Sequence, residues 1–87
     1  MSQAQLLTAL EFLKEGDFKP GAAMEKAHEI CQQHEGSQLH DWIHALIHRI
    51  EGDNANAAYW YRRAGQSRHT GSFEEEWRLI RETVEAP

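Results

Sequence analysis

Three histidines stand four residues apart in the sequence, at positions 40, 44 and 48. At ~100° per residue, this spacing places them in one line along an α-helix. Glu51 follows on the same side, because residues three and four apart are neighbours on a helix. Imidazoles at i and i+4 can both reach one Zn²⁺, and a carboxylate can be a third ligand. The pattern therefore makes His44 and His48 candidate metal ligands.

The histidine line also has a structural interpretation. A helical zinc-protease motif places Glu directly after its first histidine, whereas Ala45 follows His44 and Asp41 follows His40. A buried His44 between paired helices would instead hydrogen-bond to carbonyls or tyrosine hydroxyls, since buried polar groups need partners. His48 would then line a concave surface beside Glu51. With no nucleophile paired with a base and no phosphate loop in the sequence, we predict no catalytic site and no cofactor.

Two tyrosines, a tryptophan and two arginines follow one another at 59–63. They cannot all face one side of a helix, so Tyr61 is predicted to be buried, and Tyr59, Arg62 and Arg63 at least partly exposed. Arginine forks bind carboxylate and phosphate groups in two-pronged fashion, which favours an anion-binding patch. Alternatively, the arginines pair with acidic side chains of the last helix and cover the tryptophan.

Apolar residues at helical spacing predict five helices and no strand, an all-α fold. The predicted inner residues are Leu6, Leu7, Leu10 and Leu13; Ala23, Ala27, Ile30, Cys31 and His34; Leu39, Trp42, Ile43, Leu46, Ile47 and Ile50; Ala57, Trp60, Tyr61 and Ala64; Phe73, Trp77, Ile80 and Val84. The expected first-turn and capping residues are Ser2, Pro20, Ser37, Asp53 or Asn54, and the Ser72/Glu75 capping box.

The first and third predicted helices are similar in sequence. "LLTALEFLKEGD" at 6–17 and "WIHALIHRIEGD" at 42–53 align, and another helix follows each copy. The period is close to the ~34 residues of a tetratricopeptide repeat. We therefore predict one right-handed, repeat-like domain with antiparallel hairpins at 3–35 and 37–66 and a capping helix at 73–85.

The stretch "EGDNANAAYWYRRAG" at 51–65 resembles the turn and second helix of tetratricopeptide and Sel-like repeats. The residues on the expected spacing are Gly52, Asp53, Ala57, Tyr61 and Ala64. The longer string is also similar to small bacterial proteins of unknown function. The resemblance implies a scaffold that binds a peptide or protein partner, although fold alone does not determine function.

The composition excludes several classes of protein. The 87 residues fit one domain, and the net charge of −5 disfavours nonspecific binding to nucleic acid. No apolar run approaches the ~20 residues of a membrane span, and the first residues lack the basic region of a signal peptide. Cys31 is the only cysteine, which precludes an internal disulfide, suits a reducing bacterial cytoplasm and indicates an inert core thiol.

The sequence thus predicts a noncatalytic interaction module that binds a protein or peptide partner, or an anionic group, through a surface containing His44, His48 and Arg62. The predicted binding residues are Asp41, His44, His48, Glu51, Tyr59, Arg62 and Arg63. A homodimer is also expected, because a two-hairpin array leaves apolar surface at its ends. The alternative function is a small metal- or ligand-binding protein that uses the line of His40, His44 and His48.

Overall fold

The computed structural model describes residues 3–87, which form five α-helices and no strand, so the all-α prediction is confirmed. The helices are α1 (Gln3–Glu15), α2 (Ala22–Gln32), α3 (Gln38–Ile50), α4 (Asn54–Ala64) and α5 (Phe73–Glu85). Ser2, the predicted cap of the first helix, lies outside the described residues. None of the helices in residues 3–87 combines the length and apolar composition that a membrane crossing demands.

The start of α2 differs from the prediction. Pro20 was expected in its first turn, but the helix begins at Ala22, after Gly21. Asp17 and Phe18 have positive φ angles of 58° and 56°, and Gly21 has a φ of 154°. Because the φ of Gly21, directly after the proline, lies outside the helical region, α2 begins only at Ala22.

Two other helix starts follow the predicted side-chain chemistry. Asp53 caps α4 by accepting a hydrogen bond from the Asn56 backbone N–H. Ser72 and Glu75 form the predicted capping box at α5, in which each side chain accepts from the other's backbone. These bonds satisfy N–H groups that a helix start leaves without intrahelical partners.

Helix α3 occupies the centre of the fold and packs against all four other helices. As a consequence, every side chain from His40 to Ile47 is buried, polar ones included. The pairs α1–α2 and α3–α4 pack closely, and α5 packs against α1 and α3. The buried apolar residues are Leu6, Ala9, Leu10, Leu13, Met24, Ala27, Cys31, Trp42, Ile43, Ala45, Leu46, Ile47, Ala57, Trp60, Tyr61, Ala64, Trp77, Ile80 and Val84.

A buried carboxylate joins three of the helices. Glu76 on α5 is 0% exposed, and it accepts hydrogen bonds from Trp42 Nε1 at 3.0 Å and from the Tyr61 hydroxyl at 2.7 Å. Arg49 Nη1 lies 2.9 Å from its other oxygen and provides the counter-charge. A buried charge needs such partners, because desolvation otherwise costs several kcal/mol. The sequence predicted only that acidic side chains of the last helix could pair with arginines, and did not predict the burial of Glu76.

Candidate metal centre

Helices α2 and α3 and the turn between them contain five histidines, which the structure divides into two groups. His34 and His40 stack on one another, with ring centres 4.4 Å apart. His28, on α2, instead meets His44 and His48, on α3. The predicted line of three histidines is therefore split: His40 contacts the turn after α2 at His34, whereas His44 and His48 contact α2 itself at His28.

The second group, which we call the histidine triad, consists of His28, His44 and His48. Nε2 of His28 lies 2.9 Å from Nε2 of His44. The ring centres are 4.6 Å apart for His28 and His44, 5.5 Å for His28 and His48, and 5.0 Å for His44 and His48. One potential ligand atom from each residue lies within 4.8 Å of the other two. Three imidazole donors therefore surround one small volume.

These distances are close to those of a tetrahedral metal site. With Zn–N bonds of about 2.0–2.1 Å, two nitrogens on one tetrahedral Zn²⁺ stand roughly 3.4 Å apart. The closest pair of nitrogens, in His28 and His44, must separate slightly to admit an ion, and His48 must approach. Such movements would require rotation of the His28 and His48 rings, because the His44 ring is stacked on Trp60.

Burial favours the neutral form of two of the three rings, those of His28 and His44. His44 is 2% exposed, and burial lowers its pKa to about 3, with a further contribution from the neighbouring rings of His28 and His48. Burial also lowers the pKa of His28, an effect that the charges of nearby carboxylates partly oppose. Both rings are therefore neutral at pH 7, and neutral imidazole is the form that binds a metal.

A carboxylate orients the third ring. Nδ1 of His48 lies 3.1 Å from Oε1 of Glu51 and 3.9 Å from Oδ2 of Asp53. An Nδ1–H donated to Glu51 leaves the lone pair on Nε2 for a metal. Metal-binding histidines commonly donate their other ring N–H to a carboxylate, which fixes the tautomer and makes the ligand more basic.

Trp60 closes the inner side of the triad. Its ring stacks on His44 with centres 3.9 Å apart and planes 16° apart, and the Arg63 guanidinium lies 5.2 Å above the tryptophan ring. Nδ1 of His44 is buried and has no hydrogen-bond partner among residues 3–87. The stacking holds the His44 ring in place although this polar atom is left without a partner.

The other histidine pair offers two rings only. Nδ1 of His40 lies 2.9 Å from the Ser37 hydroxyl, and burial lowers the pKa of His40 to about 4. The Nε2 atoms of His34 and His40 have no hydrogen-bond partner within the described part of the chain. Cys31 is buried, and burial raises the pKa of its thiol, so it stays protonated at pH 7, as an inert core thiol would.

Two residues of the predicted binding surface are not at the surface. Asp41 is 1% exposed, accepts hydrogen bonds from the Gly36 backbone N–H and lies 3.9 Å from Arg63 Nε. His44 is buried against Trp60 and His28. The central position of α3 buries both side chains, because neighbouring helices cover the side that the isolated helix would have exposed; for His44 this is the buried alternative that the sequence left open, and for Asp41 the predicted exposure is wrong.

The other predicted binding residues lie further out. Tyr59 is 43% exposed and receives a hydrogen bond of 3.0 Å from Arg63 Nη1. Arg62 and Glu51 are exposed, whereas His48 is half-buried. Arg63 covers Trp60, as one of the two interpretations of the arginines predicted. The buried acid of α5, Glu76, however, pairs with Arg49 and not with an arginine of residues 59–63.

His28 is the triad member that sequence reasoning missed. Nothing in the pattern of α2 distinguishes it, because its partners lie on another helix. The short connection between α2 and α3 is the signal that could have identified it, because such a connection makes two helices antiparallel neighbours. Antiparallel packing places His28 beside His44 and His48.

No family model matches the chain, and no curated protein or solved structure gives a significant match. The tetratricopeptide and Sel-like resemblance therefore stays a prediction.

Proposed function

We propose that this protein binds a divalent transition-metal ion through the histidine triad. The observation that carries the proposal is the convergence of three imidazoles from two helices, with ligand atoms within 4.8 Å of one another. Two supporting features are the Glu51 carboxylate beside His48 and the burial that lowers the pKa of His28 and His44. This was the alternative function in the sequence interpretation, now with His28 in place of His40.

The donor set selects a class of metal. Imidazole nitrogen suits Zn²⁺, Cu²⁺, Ni²⁺ and Co²⁺, whereas Mg²⁺ and Ca²⁺ prefer oxygen ligands. Thiolate ligation is not available at the triad, since Cys31 is not part of the group and its thiol stays protonated. We therefore expect zinc-type ions to bind, with Cu²⁺ the tightest in vitro by the general affinity order.

A purely structural role accounts for less of this arrangement. One hydrogen bond between two neutral rings explains the 2.9 Å contact of His28 with His44. It does not explain why His48 joins the same cluster with its Nδ1 directed at Glu51. A metal ion uses all three rings and the carboxylate together.

The test is a zinc titration of untagged protein at pH 7 by isothermal titration calorimetry, with thermal unfolding measured in EDTA and in excess Zn²⁺. We expect one ion per chain and a higher melting temperature with zinc. Free zinc at 100 times Kd adds about 2.7 kcal/mol to the free energy of unfolding. In a domain of this size that corresponds to a rise of roughly 10–20 °C. A melting temperature equal in EDTA and zinc, with no stoichiometric heat, would refute the proposal.

A protein-binding surface remains the second candidate, favoured by the exposed Tyr59 with its Arg63 partner and the exposed Arg62 beside it. Aromatic and arginine side chains are enriched where proteins bind partners. An acidic peptide titrated into labelled protein should shift the NMR signals of these three residues if they bind anionic partners. Signals that do not move would argue against the patch. The homodimer likewise stays a prediction, which sedimentation velocity would test.

A further inference from the structure

We propose that the metal held by the histidine triad keeps one coordination position open, and that water or a small monodentate anion occupies it. This inference rests on the proposed metal binding and goes further, because it distinguishes a reactive centre from a closed structural one. Closed structural zinc sites have four protein ligands, whereas zinc sites that exchange ligands have three and a water.

The number of protein donors supports the open position. Among residues 3–87, His28, His44 and His48 form the group, and no fourth histidine, cysteine or carboxylate joins it. The closest carboxylates, those of Glu51 and Asp53, face the Nδ1 side of His48. These carboxylates contact the ring nitrogen that does not bind the ion, so they are not ligands. A tetrahedral ion therefore takes its fourth ligand from solution.

The open position faces the surface at the edge formed by His28 and His48. Trp60 covers His44 on the interior side, which excludes water there. His28 is half-buried and the His48 side chain is 14% exposed, so these two rings are the members of the triad that meet solvent. A ligand from solution would therefore reach the ion between His28 and His48.

The charge at this edge determines which small ligands are favoured. Glu51 and Asp53 lie beside His48, and Glu29 and Glu35 act electrostatically on His28. These carboxylates attract a divalent cation and oppose an anion. Water is therefore the resident ligand, and anions such as azide compete with it weakly.

The experiment uses Co²⁺, whose visible absorption reports its coordination, and azide as the probe ligand. We expect cobalt bound to the protein to give a tetrahedral spectrum that azide changes in a saturable way, while equilibrium dialysis shows that the cobalt stays bound. A spectrum unaffected by azide, with cobalt bound, would overturn the open position and leave the metal-binding proposal intact. Failure of both Co²⁺ and Zn²⁺ to bind would overturn both.

A fourth ligand from a second copy of the chain is the main rival, and sedimentation velocity distinguishes it. A metal-dependent dimer whose spectrum ignores azide would overturn the inference, whereas a monomer that responds to azide supports it. The measurement uses the full chain with and without cobalt.

The variant Asp53→Asn tests where the open position lies. Asparagine caps a helix about as well as aspartate, so α4 keeps its start while one negative charge is lost. Azide should then bind roughly two- to five-fold more tightly, as expected for one partly exposed charge. An unchanged or weaker azide affinity would overturn the placement of the open position at this edge.

Discussion

Nε2 of His28 lies 2.9 Å from Nε2 of His44, although the two residues are sixteen positions apart and belong to different helices. Both rings are neutral at pH 7, so one donates and the other accepts a hydrogen bond. A metal ion needs the lone pairs of both nitrogens. Binding of the proposed metal would therefore require the donor ring to carry its proton on Nδ1 instead of Nε2, and the hydrogen bond would be replaced by two metal bonds.

Replacement of His28 should abolish metal binding with little damage to the fold. Glutamine retains a polar side chain of similar length at this half-buried position, but it removes the imidazole donor. We expect His28→Gln to lower zinc affinity by roughly 100-fold or more, because loss of a ligand costs more than the 10- to 100-fold typical for loss of a residue that only hydrogen-bonds to a ligand. The measurement is calorimetric titration with zinc. His69→Gln, in the loop before α5, is the matched control and should bind as the wild type does; equal affinities in both variants would rule out the triad.

Replacement of Glu51 should weaken the site without removing a ligand. Glu51→Gln keeps the shape of the side chain but loses the charge that orients His48. Loss of such a supporting carboxylate typically lowers metal affinity by about 10- to 100-fold. Competition against a zinc-sensitive dye would measure the change. Glu74→Gln, which removes an exposed acid paired with Arg78 on α5, should leave zinc affinity unaltered; the same loss in both would indicate a general charge effect.

The fold depends on the buried carboxylate of Glu76. Glu76→Gln leaves Arg49 without its counter-charge and disturbs the bonds from Trp42 and Tyr61. Breaking a buried ion pair in this way should lower the free energy of unfolding by about 3 kcal/mol, as measured by urea denaturation. Glu85→Gln, at an exposed pair with Arg81, should cost less than about 0.5 kcal/mol. Similar losses for the two variants would contradict the importance of burial.

His40 should make the protein sensitive to acid. Burial lowers its pKa to about 4, with a smaller contribution from His34, while an unfolded chain has a histidine pKa of about 6.5. Its contribution to stability is complete above pH 6.5 and is lost as the pH falls towards 4, because the unfolded state takes up the proton first. The loss should be on the order of 2 kcal/mol.

Urea denaturation of the wild type and of His40→Gln at pH 7 and pH 4.5 would measure this loss. The variant should lose less stability between the two pH values, since it lacks one titrating group. His44 also titrates at low pH and contributes equally to both proteins, so the difference between them isolates His40. Equal losses would show that the His40 proton is not linked to folding.

The parts of the fold that local chemistry determines could be predicted from the sequence. Asp53 and Ser72 cap helices because their side chains reach backbone groups three residues ahead. The start of α2 could not be predicted, because no local pattern indicates that Gly21, directly after Pro20, takes a non-helical φ of 154°.

In the candidate site, too, the features set by local sequence could be predicted, and those set by the packing of different helices could not. The four-residue spacing of His44 and His48 is a helical property, and it predicted that these two rings lie beside one another. His28 joins them only through the packing of α2 on α3. Glu76 likewise is indistinguishable in sequence from its exposed neighbours, and its burial follows from how α5 meets Trp42 and Tyr61.

The position of His28 on α2 affects how the protein moves. Within the described residues, α2 packs against α1 and α3 alone. A helix with few neighbours can open locally while the rest of the domain stays folded. An ion that joins His28 to His44 ties α2 to the central helix, so its amide hydrogens would exchange with solvent more slowly in the loaded protein. The ion would then act as a local restraint, and the mobility of α2 would report whether metal is bound.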